Sequence, residues 1–96
     1  MRVQIRRLAL DDVESAVAWY AERDEDIAKN FLAEVAHVIS RIGERPAQFP
    51  VAHRDLRRAL LKQFPFAIYF RSHDTVITVV AVMRQQRSGS RWKTRD

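Results

Sequence analysis

Cysteine is absent from this 96-residue chain. Disulfides and thiolate metal sites are therefore excluded, and a cytoplasmic location is the expectation that follows. Glycine occurs only twice, at Gly43 and Gly89, so no glycine-rich loop can cradle a phosphate. No apolar run approaches the roughly 20 residues of a membrane span, so no membrane role is expected. Near the start, Arg2, Gln4, Arg6 and Arg7 interrupt the apolar residues, which leaves no secretion-signal core. His37, His53 and His73 never fall at metal-ligand spacing. The acidic runs Asp11-Asp12 and Asp24-Glu25-Asp26 read as helix starts rather than ligand sets. No nucleophile elbow or serine triad can be assembled. Neither a metal nor another cofactor is expected.

What is present suits one small folded domain covering residues 1–96. Hydrophobic residues make up 47% of the chain, too many for a disordered one. The net charge of +5 is unevenly placed: residues 1–50 carry a net −2 and residues 51–96 a net +7. A basic half of this kind attracts an anionic partner, either nucleic acid or an acidic protein.

Val3 and Ile5 alternate with polar residues, the period of a half-buried strand. Asp11 and Glu14 then resemble a capping box, and Val13, Ala16, Val17 and Tyr20 recur at helical spacing. They predict a helix over Asp12–Arg23. A second helix, Asp24–Ile42, opens on three carboxylates and carries Ile27, Phe31, Val35, Val38, Ile39 and Ile42. Gly43 is its expected stop and Pro46 enforces it. Two amphipathic helices with so short a connection should form an antiparallel hairpin. Residues 48–54 read as a loop. Strands are predicted at Leu56–Leu61, Phe66–Arg71 and Val76–Met83, the last apolar nearly throughout and so taken as central. In the middle one, Phe66, Ile68 and Phe70 share one face, and Ala67 and Tyr69 the other. The class is α+β, in the order β-α-α-β-β-β, with the helical hairpin packed on a curved, mostly antiparallel sheet. The first strand must pair with one of the late ones.

Several runs resemble the ParE/RelE toxin superfamily at corresponding places. They are Asp12-Val13 with Ala18-Trp19-Tyr20, then Phe31 to Val35 with Arg41-Ile42 and Arg45-Pro46. Arg57 to Leu61 with Phe64 to Arg71 is the most specific, followed by Val79 to Val82 and Arg91-Trp92. The ParE-like branch is the nearer. The resemblance implies a toxin of a type II toxin–antitoxin system that binds DNA gyrase or another topoisomerase. It also implies a cognate antitoxin that forms a hetero-oligomer with the chain. The chain departs from the family pattern after its last strand. Arg84 stands at the usual His, Gln86 at one of two arginines, and Ser88-Gly89 at the usual Asp-Pro.

Two alternatives stay open. RelE-like toxins cut messenger RNA on the ribosome, which needs a proton-transfer group and clustered cations. Arg57, Arg58, Lys62, Arg84 and Arg87 supply cations, but the only tyrosines are Tyr20 and Tyr69, and the C-terminal region has none. The other alternative is an inactive relative that serves as a binding module in a repressor complex. The candidate target-binding residues are Arg58, Lys62, Arg84, Arg87 and Arg91. Arg57 and Arg58 are strand neighbours on opposite faces, so at most one lines a given site. A charged strand edge that resists aggregation would explain them equally. Phe64, Phe66 and Tyr69 read as core packed against the hairpin. Trp19, about 100° around its helix from the inner stripe, is the candidate anchor for the antitoxin.

Overall fold

The computed structural model describes residues 1–85. The elements are β1 (Arg2–Ile5), α1 (Arg7–Ala21), α2 (Glu25–Glu44), a 3₁₀ turn (Pro46–Gln48), β2 (Val51–His53), β3 (Leu56–Leu60), β4 (Phe66–His73) and β5 (Val76–Arg84). The two helices form a hairpin on one face of a five-stranded sheet ordered β1-β5-β4-β3-β2. β1 runs parallel to β5, and every other pairing is antiparallel. The α+β class, the helical layer and the pairing of the first strand with a late one are as expected. Among the described residues, no helix is long and apolar enough to cross a membrane.

The first helix begins five residues before the predicted start. The Arg6 N–H donates to the Val79 carbonyl and ends β1, and Leu10 N–H to Arg6 O at 3.0 Å already closes a helical turn. Asp11 does not cap. It pairs with Arg7 one turn back, at 3.4 Å on the surface. Asp12 serves the sheet instead, its carboxylate accepting the Val82 N–H at 2.9 Å. That amide needs an acceptor because β1 stops opposite Val79, so among the described residues β5 has no neighbouring strand on that side beyond it.

The second helix begins as the carboxylate run indicates. Asp24 is the N-cap, accepting from the N–H groups of Asp26 and Ile27, and Glu25 and Asp26 fill the first turn. Gly43 is not its stop, since the helix runs on to Glu44 and ends before Pro46. Glycine at position 43 allows close approach of β1: a Cβ there would sit 3.3 Å from Val3 Cγ2.

Two strand readings need correction. Val51–His53 is a short edge strand, not loop, joined to β3 through a tight turn in which Arg54 has φ 53°. With this fifth strand, β4 is the middle of the sheet, and β5 is interior between β1 and β4.

The core lies between the hairpin and the sheet. Phe31, Val35, Val38 and Ile42 of α2 pack with Phe66, Ile68, Phe70, Ile77, Val79 and Val82. Leu56, Ala67, Tyr69, Val80 and Ala81 form a second cluster on the opposite face. The alternation read for β4 therefore holds, but Tyr69 belongs to the face away from the hairpin. Val80 and Ala81 can both reach that face because a bulge inserts Val80: Tyr69 pairs with Ala81 and Phe70 with Val79.

Candidate functional site

Among the described residues, the candidate cations Arg58, Lys62 and Arg84 do not converge. Arg58 lies on β3 opposite Tyr69, on the sheet face away from the helices. It is half-buried, and its Nε is buried without a hydrogen-bond partner among the described residues. Arg57 points to the other face, as adjacent strand residues must, and its guanidinium donates to the Phe49 carbonyl at 2.5 Å. Arg57 therefore ties the 3₁₀ turn to the sheet. Arg87 and Arg91 lie outside the described residues.

Arg84, the last residue of β5, belongs to a different surface. Its guanidinium sits 5.4 Å from the Phe66 ring and 5.7 Å from the ring of Trp19 at the end of α1. Trp19 is 46% exposed. The Arg23 guanidinium lies 3.5 Å from the same ring and donates to the Trp19 carbonyl at 2.7 Å. Tyr20 meets the ring edge-on at 5.1 Å between centroids. An exposed indole flanked by two guanidiniums keeps the exposure expected of an anchor and adds positive charge to it. Each such contact contributes about 0.5–1 kcal/mol when exposed. Arg23 was legible as the i+4 neighbour of Trp19; Arg84 was not, being brought there by the sheet.

Lys62 follows β3 in the turn towards β4. The Glu34 carboxylate on α2 accepts the backbone N–H groups of Lys62 and Gln63, the latter at 3.1 Å. This clasp closes one end of a groove of about 380 Å³ between α2 and β3, lined by His37, Val38, Arg41, Leu60 and Lys62 among others. His37 and Glu34 were not singled out for this place. Their i,i+3 spacing on α2 sets both on one helix face, but nothing local shows that β3 lies opposite.

The groups able to move protons are dispersed. His37 is on α2, His53 on β2, and His73 at the end of β4, 3.5 Å from Asp74. Tyr20 is partly buried, its ring packed against Phe31, Phe64 and Phe66 at 5.2–6.3 Å between centroids. Tyr69 is 2% exposed, and its hydroxyl accepts from Gln85 Nε2 at 3.1 Å. The arrangement offers surfaces for binding: a cationic aromatic patch at Trp19, a groove at Lys62 and a half-buried arginine on the far face.

The sequence model of a family described as the ParE toxin of type II toxin-antitoxin system, parDE, matches residues 3–89. Among solved structures, one described as the chromosomal ParDE TA system from P. aeruginosa superposes with a TM-score of 0.80 at 18% identity. The match covers 90% of this chain and 97% of that one, and at such identity it speaks for the fold. No curated protein matches in sequence.

Proposed function

The chain belongs to the ParE toxin family of type II toxin–antitoxin systems, and from that premise we propose that it arrests growth by binding DNA gyrase or a related type II topoisomerase. Binding occurs during the DNA-cleavage cycle, and the toxin performs no covalent chemistry of its own. A cognate antitoxin encoded beside it wraps a segment around the toxin and neutralises it as a hetero-oligomer in the cytoplasm. The match over residues 3–89 carries this reading. The burial of Tyr69 supports it over RNA cleavage, since a general acid or base must reach the proton it transfers. Arg84, and the Arg87 and Arg91 that follow it in sequence, are the cations we assign to target contact, where charge sets encounter rate and specificity. Arg58 and Lys62 have separate surroundings and are assigned supporting roles.

The test is expression of the chain without its antitoxin. Chromosome breaks with filamentation are the expected phenotype. Arrested translation with an intact chromosome would replace this reading with ribosome-dependent cleavage of messenger RNA. Normal growth would replace it with a binding module that has lost toxicity.

A further inference from the structure

The β2 side of the sheet is only half built. β2 pairs with the start of β3, and its last contribution is the Pro50 carbonyl, which accepts the Arg58 N–H at 3.0 Å. Proline has no N–H to return. Leu60 therefore lies beyond the reach of β2. In an antiparallel ladder, alternate residues direct both backbone groups to the same side. Leu61 donates inward to Phe66 O at 2.9 Å and Arg58 donates outward, so the N–H and C=O of Leu60 also point outward. No described residue bonds to them. The next two amides, of Lys62 and Gln63, are already held by Glu34.

This open stretch faces the groove between α2 and β3. Among the described residues the lining carries His37, Arg41 and Lys62, while Glu34, the one carboxylate among them, is engaged with backbone amides. Val38 and Ala33 supply apolar surface from α2, while the Leu60 side chain, paired with Ala67 and 55% exposed, stands on the sheet face away from the helices, so that only the backbone of Leu60 is offered to the groove. An extended segment laid here would complete the ladder at Leu60, and an acidic side chain on it would meet the cationic wall.

We infer that this half-edge takes an extended, acidic peptide segment of the antitoxin, which adds to β3 at Leu60 and places a carboxylate between His37, Arg41 and Lys62. The inference rests on the neutralisation reading above. It is tested by amide hydrogen exchange on the purified toxin, alone and bound to its antitoxin. The Leu60 amide should exchange rapidly in the free protein and be slowed by about 100-fold or more in the complex. Lys62→Glu should weaken the complex by about fivefold or more, as loss and reversal of an exposed charge pair does. Leu60→Pro removes only an outward N–H, which an edge strand tolerates, and should weaken binding while the circular dichroism spectrum is kept. Should Leu60→Pro unfold, the exchange data and Lys62→Glu decide. A stable complex with unchanged Leu60 exchange and wild-type affinity for Lys62→Glu would overturn the inference and leave neutralisation standing. Absence of any complex would overturn both.

Discussion

Asp11 and Asp12 are neighbours with different work, and replacing each by alanine separates two accounts of how α1 is held. In the structure Asp12 accepts the Val82 N–H at 2.9 Å, in a partly buried position where β5 has lost its neighbour β1. A hydrogen bond to a charged acceptor contributes about 1.5–3 kcal/mol. Asp12→Ala should cost that much, because the amide is left without its acceptor. For a domain of this size 1 kcal/mol corresponds to about 4–8 °C, so the melting temperature should fall by roughly 10 °C or more. Asp12→Asn keeps an acceptor oxygen but loses the charge, and should lose about half as much. Asp11→Ala removes only the exposed pair with Arg7 and should cost no more than about 0.5 kcal/mol. Urea unfolding of the purified variants reads all three. If Asp11 were the helix cap that the sequence suggests, its loss would cost about 1 kcal/mol and exceed that of Asp12. That order of effects would refute the clasp.

Other perturbations have equally definite expectations. Phe31 is fully buried, with the Tyr20, Phe64 and Phe66 rings 5.0–5.3 Å away, so Phe31→Ala should cost about 3–5 kcal/mol in urea unfolding. Asp24→Ala removes the acceptor of two first-turn amides of α2 and should lower stability by about 1 kcal/mol in the same assay. Trp19→Ala should cost only about 1–2 kcal/mol of stability, from two exposed cation–π contacts. As an interface anchor its loss should weaken antitoxin binding by about tenfold or more in calorimetry.

The parts of the fold legible in the sequence are those whose signal is local. Asp24 and its carboxylate neighbours mark the start of α2, and the two-residue period of Phe66, Ile68 and Phe70 gives both the strand and its buried face. The start of α1 was hidden because Leu8, Ala9 and Leu10 are consecutive, so they form no helical stripe, and because Asp11-Asp12 imitates a cap. β2 was hidden because three residues after a proline show no period, and its partner is fixed by a turn whose positive φ falls on Arg54 rather than glycine. Missing that edge strand also moved the expected centre of the sheet from β4 to β5. For the site, residue type was legible and convergence was not. Strand register sets Arg58 beside Tyr69, and sheet order brings Arg84 to Trp19, and neither pairing is local.

Binding of a topoisomerase rather than cleavage of RNA is the central claim, and two parallel incubations of the purified toxin test it most directly. One contains DNA gyrase with supercoiled plasmid, the other translating ribosomes with a defined message. The account predicts inhibited gyrase or trapped, cleaved plasmid in the first and intact message in the second. Cleaved message beside fully active gyrase would contradict it.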